Sequence, residues 1–173
     1  MANQIEIDAM ARALEAAATA GRTLPNPQVG CVLLAADGTQ LAVGSHRGAG
    51  TAHAEIDALA QAGDRARGAT AVVTLEPCNH TGRTGPCTKA LIDAGVSRVV
   101  FGSTDPAEGA GGAAALLAAG IEVEGGVCAE RTDALIAPWA FRHRNPRPFV
   151  TWKYAATLDG LSAAPDGSSK WIT

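Results

Sequence analysis

The feature that most constrains this chain is an alternation in which short apolar runs recur between Ala-rich stretches of helical period. Val29–Ala36 is a continuous apolar run, Asp37-Gly38 is a hairpin-turn signal, and Gln40–Ser45 returns as a second strand. Thr70–Leu75, Ser97–Gly102 and Ile121–Glu124 read as further strands, with helices expected over His53–Ala62, Pro86–Ala94 and Gly111–Ala119. A helix over residues 5–20 precedes this series. Another, Cys128–Arg142, follows it and is expected to break at Pro138. Short strands without polar alternation belong to a sheet covered on both faces. The expected fold is therefore α/β, a three-layer αβα sandwich around one mixed sheet. Of 173 residues, 47% are hydrophobic, 18% charged and only 4% aromatic, which suits one domain whose core packs small side chains.

Several classes of function are disfavoured at once. No run approaches the roughly 18 apolar residues needed to cross a bilayer, and the start lacks the basic-then-apolar order of a signal peptide. A cytoplasmic protein with no membrane partner is the expectation. A net charge of −3 argues against a phosphate-backbone partner such as duplex DNA. The phosphate-loop pattern G-x-x-x-x-G-K-[ST] does not occur. A small or nucleotide-sized substrate remains open, as does a homo-oligomer.

The four cysteines divide into two pairs. Cys31 sits in the apolar run VGCVLL and Cys128 at the head of the last helix, and both read as structural. Cys78 and Cys87 lie in polar, turn-rich surroundings, each near a helix start. With His53, which opens the helix before them, they supply one imidazole and two thiolates, a three-ligand zinc set that leaves a fourth position for water. Two thiolates offset the charge of the metal, and the helix N-termini lower the thiol pKa values that binding requires. Glu55 follows His53 by two residues, about 200° round a helix, so it suits a proton shuttle on the water better than a fourth ligand. A closed structural site would need His80 as that ligand.

At this point the chain resembles a family. H-x-E followed by P-C and a second Cys is the signature of zinc-dependent nucleobase deaminases, here with PCNHTGRTGPC in place of the usual P-C-x-x-C. That longer loop, together with PNPQVGCVLL and GTAHAEIDAL, resembles the deaminase domain of the bifunctional riboflavin-biosynthesis deaminase/reductases. The resemblance covers residues 5–145 and implies a cytidine-deaminase-like fold. It also implies hydrolytic release of ammonia from a phosphoribosylated pyrimidine, diaminohydroxyphosphoribosylaminopyrimidine, with one zinc per chain. By the same resemblance Asn26 contacts the pyrimidine. His46, His80 and Arg83 lie in loops at the same sheet edge as the metal and are expected to bind ribose and phosphate together. Arg83 is the best suited of these to bidentate phosphate contact. Departures from the family pattern are Gly85-Pro86 before the second Cys and Ala107-Glu108 after Asp105-Pro106, an acid that would be awkward if that loop approaches a substrate phosphate.

RHRNPRP reads as a linker, so a deaminase domain is assigned to 1–145. Residues 146–173 are assigned to linker and the truncated start of a second domain: Phe149–Thr173 is expected to hold a strand and a turn, and RPFVTWKYAATLDG and GSSKWIT resemble the opening of the family's NADPH-dependent reductase domain. In a complete reductase, Ala155 and Trp171 would touch NADPH and Ser169 the substrate; the short segment here is expected to support no reduction. Two other functions compete with the pyrimidine deaminase. A tRNA or nucleic-acid base deaminase is disfavoured by the long loop, the net charge and the lack of a basic stripe with interleaved aromatics. A non-enzymatic zinc-stabilised module would survive only if Glu55 proved dispensable.

Overall fold

The computed structural model describes residues 1–81, 85–107 and 111–169. Five strands form one sheet in the order β2-β1-β3-β4-β5. They are β1 (Gly30–Leu34), β2 (Gln40–Ser45), β3 (Thr70–Leu75), β4 (Arg98–Ser103) and β5 (Glu122–Glu124). β1 is antiparallel to β2 and β3, whereas β3, β4 and β5 run parallel, so the sheet is mixed as expected. Every residue of β1 is buried, and β3 and β4 are buried but for their first residues. That is the burial of strands covered on both faces.

The covering helices follow from their patterns. α1 (Gln4–Thr19) begins in a capping box, Glu6 N–H donating to Asn3 Oδ1 at 3.0 Å and Asn3 N–H to Glu6 Oε2 at 2.9 Å. Its stripe Ala9, Met10, Ala13, Leu14 and Ala17 is buried against Val32, Leu34, Val72 and Val100. α5 (Ala129–Arg144) packs on β4 beside α1. α2 (Ala54–Ala62), α3 (Cys87–Asp93) and α4 (Gly112–Ala118) line the other face, in contact in that order. The result is the three-layer sandwich.

Two glycines bring these layers close enough to build a site. A Cβ at Gly44 in β2 would lie 2.2 Å from the Ala54 carbonyl oxygen, so the start of α2 rests directly on the strand. A Cβ at Gly112 would lie 1.8 Å from the Pro77 carbonyl oxygen, so α4 begins against the loop that follows β3. Both contacts are with backbone, which no rotamer change can relieve.

Three expectations need correction. α5 does not break at Pro138 but runs to Arg144, taking in residues read as linker. Pro138 and Ala134 are solvent-exposed, so water can satisfy the carbonyl that loses its N–H partner. Pro86 precedes α3 in extended conformation instead of opening it, which makes Cys87 the first helical residue. No strand forms among the described residues of 149–169, where Phe149, Val150, Trp152 and Tyr154 are exposed. An extended segment without a ladder partner has nothing to hold it as a strand.

Candidate active site

At the C-terminal ends of β3 and β4 a cleft of about 650 Å³ opens, floored by Leu75, Glu76 and Cys78. His53 is the N-cap of α2, with extended backbone (φ −69°, ψ 160°). The helical spacing of 200° therefore does not apply between His53 and Glu55. Instead the imidazole and the carboxylate diverge from the junction of loop and helix, and both line the cleft. Cys78 lies in the loop after β3 and Cys87 at the start of α3, both buried.

These three residues form one cluster. His53 Nδ1 is 3.2 Å from Cys87 Sγ and 3.6 Å from Cys78 Sγ, and all three donor atoms lie within 4.8 Å of one another. Tetrahedral zinc with ordinary Zn–S and Zn–N bonds separates S and N by about 3.6 Å, so the set fits the metal. His80 is exposed and is not part of the cluster among the described residues, so the four-ligand closed site does not form. The Cys87 N–H, one of the unpaired donors of a helix start, points at Cys78 Sγ from 3.4 Å.

The electrostatics shift each group of the cluster away from its ordinary value. The contact with the Cys87 thiol, then those with His53 and the Cys87 N–H, bring the Cys78 thiol down to about 4. The same contact between the thiols, with burial, pushes Cys87 upward. His53 is raised, chiefly by its bond to Cys78. Glu55 is only 4% exposed, and burial, reinforced by the Cys78 charge, pushes its carboxyl up to about 7. A carboxyl so placed can both take and give a proton near neutral pH.

Asn26 and His46 are also in the cleft, and they are bonded to each other. His46, buried in place of the solvated loop position its sequence context allows, donates from Nδ1 to the Ala52 carbonyl at 2.9 Å. That tautomer leaves Nε2 to accept from Asn26 Nδ2 at 2.9 Å, which orients the amide. The His46 ring meets the His53 ring edge-on at 5.3 Å. His80 lines the cleft as well. Arg83 and Trp171 lie outside the described residues. Ala155 is half-buried and Ser169 exposed, and neither lines the cleft.

Sequence reasoning missed several lining residues. Glu76, adjacent to Pro77-Cys78, accepts from the Asp105 N–H at 3.2 Å and the Ala113 N–H at 2.9 Å, tying the end of β3 to α4 and the loop before it. Asp105, buried and raised by that burial, accepts from the Ala107 N–H at 2.8 Å. Trp139, Arg142 and His143 enter the cleft from α5. The acid directly before Pro-Cys was a readable signal for Glu76. No local signal marked the α5 residues.

Comparison with known proteins agrees with this geometry. A family profile described as the cytidine and deoxycytidylate deaminase zinc-binding region matches residues 3–103. The riboflavin biosynthesis protein RibD of Corynebacterium ammoniagenes is 49% identical over 154 residues, 88% of this chain and 46% of that protein. RibD of Escherichia coli is 47% identical over 168 residues, 95% of this chain and 45% of that protein. Among solved structures, a diaminohydroxyphosphoribosylaminopyrimidine deaminase/5-amino-6-(5-phosphoribosylamino)uracil reductase from Thermotoga maritima superposes with a TM-score of 0.92 at 43% identity. It covers 98% of this chain and 50% of that one. The chain spans about half the length of the curated relatives it matches. A dCMP deaminase from a cyanophage, 23% identical with a TM-score of 0.56 over 72% of this chain, shares the fold, which is cytidine-deaminase-like.

Proposed function

Because the chain belongs to the family of the cytidine and deoxycytidylate deaminase zinc-binding region, we propose that it hydrolyses a ring amino group of a phosphoribosylated pyrimidine. The substrate proposed is diaminohydroxyphosphoribosylaminopyrimidine, the one named for the Thermotoga relative, and the step is the deamination of riboflavin biosynthesis. The observation that carries this reading is a buried Glu55, its carboxyl pushed up to about 7, beside a His-Cys-Cys cluster in a ligand-sized cleft.

His53, Cys78 and Cys87 would hold the zinc, which when bound would supply a Lewis acid that brings the ionisation of water within reach of neutral pH. Glu55 takes the proton from the attacking water, delivers it to the ring nitrogen, and then carries a proton to the departing amine. Water adds to the amine-bearing carbon, the C–N bond breaks, and the products are a ring carbonyl and ammonia. Asn26, fixed by His46, holds the ring edge, and His80 and Arg83 are assigned to the ribose and phosphate. Ala155 and Ser169 make no wall of the cleft, and they are given no role in the deamination.

Metal analysis together with an ammonia-release assay tests the reading. One zinc per chain and turnover of the phosphoribosylaminopyrimidine are expected. Zinc with turnover of a tRNA base instead, or no release of ammonia from any pyrimidine, would overturn it. Titration with NADPH should show no saturable micromolar binding.

A further inference from the structure

We infer that the cleft-facing stripe of α5, Trp139, Arg142 and His143, adds a further contact, beyond those assigned to His80 and Arg83, for the phosphate monoester of the ligand, and that Arg142 sets the preference for phosphorylated over unphosphorylated ligands. The inference rests on the deaminase reading, since it takes the ring to dock at the His53–Cys78–Cys87 end. Those three α5 residues stand at i, i+3 and i+4, so they share one face of the helix. Ile136 and Ala140 of the same helix are buried in the core, which fixes its rotation and turns the stripe toward the cleft.

Volume and charge point to the same ligand. A cleft of about 650 Å³ lies within the range that holds a ligand of drug size, more than a lone pyrimidine ring fills. The ring-binding end is crowded by Asn26, His53 and Glu55, which leaves the α5 side for the remainder of the ligand. Of the acids facing the cleft, Glu76 is engaged by two backbone N–H groups and Asp105 by one. Among the described lining residues, Arg142 is the one permanent cation. No described carboxylate forms a salt bridge with it. A guanidinium fork matches phosphate oxygens in pairs. The His143 ring is held against Trp139 with centroids 4.7 Å apart, beside that fork. Cations in a last helical turn also complement the helix dipole, but Arg144 serves that purpose equally and does not line the cleft.

The test compares kcat/KM for the phosphoribosylaminopyrimidine with that for its dephosphorylated nucleoside. Arg142→Gln should lower this selectivity ratio by about 10- to 100-fold, the loss expected for a hydrogen bond to a charged group. Arg142→Lys, which keeps charge without the fork, should fall between, and Arg144→Gln should leave the ratio where it is. If both substrates suffer equally in Arg142→Gln, or the ratio is unmoved, Arg142 is not a phosphate contact and the inference fails. If the wild-type chain deaminates neither compound, it is the proposed function that fails. The contact is then judged by titrating ribose 5-phosphate. Saturable binding that weakens in both Arg142 variants supports it, and absent binding, or equal binding by all, overturns it.

Discussion

Strand β4 joins two clusters of ionisable residues that behave in opposite ways. At its first residue, Arg98 donates from Nε to Glu6 Oε1 at 2.6 Å and from Nη2 to Glu124 Oε2 at 2.7 Å, and it also pairs with Glu122. Although burial opposes the charge on Glu6, Arg98 and the Asn3 N–H outweigh it and hold the carboxyl below its ordinary value; Glu124 is lowered too, chiefly by Arg98. Beyond the last residue of β4, Asp105 is raised by burial, and across the cleft Glu55 is raised to about 7. Carboxyl groups packed around the two ends of one strand are driven in opposite directions. What differs is the counter-charge: three carboxylates meet a guanidinium at one end, and burial outweighs the hydrogen bonds at the other. Chemistry belongs where a proton is nearly balanced.

Breaking each end separately sharpens the contrast. Glu55→Gln should lower turnover by about 10²- to 10⁴-fold or more, since one carboxylate serves several proton transfers; zinc content and the far-ultraviolet spectrum should match wild type. Retention of a tenth of the rate would exclude Glu55 as the shuttle. Cys87→Ser should take zinc from one per chain toward none, by elemental analysis, while Cys31→Ala, whose thiol is wholly buried in the core, keeps full zinc at a cost of about 1 kcal/mol. At the other end, Arg98→Met leaves Glu6 without its partner and should cost about 2 kcal/mol in denaturant unfolding, between the values for exposed and buried pairs. The turnover of the folded protein should stay near wild type.

The smallest effect is one of pH. Because the Glu6 carboxyl in the folded protein ionises below its ordinary value of 4.5, its contribution is fully present above that pH. It is lost as pH falls through the lower folded value. Thermal melts from pH 6 to pH 3 should therefore show a steeper acid decline in wild type than in Arg98→Met. Parallel curves would mean that the ion cluster contributes nothing to stability.

The His53–Cys78–Cys87 cluster was legible because the chemistry of a metal site is written locally, as a His at a helix start and two thiols bracketing a turn. The strands were legible because β1, β3 and β4 are buried on both faces and their composition says so. Arg142 and His143 were not, since a helix through Pro138 depends on which side of α5 faces water, a fact that tertiary packing alone decides. His46 was visible as a loop histidine, but its burial arises from pairing with Asn26, twenty residues away in sequence. The extended segment after residue 148 carries apolar residues that imitate a strand, yet hydrogen-bond partners, not side chains, make one.

The close approach at Gly112 has a consequence for how this sequence can drift. The neighbours of that glycine in α4 are alanines and leucines whose exchange for one another alters packing by degrees. Gly112 itself admits no such gradation, because the space beside it is occupied by the Pro77 carbonyl, one residue before Cys78. Any replacement must move either α4 or the backbone that carries a metal ligand. A position with no donor atom thus holds a veto over the metal centre, and a census restricted to His, Cys and Glu would overlook it.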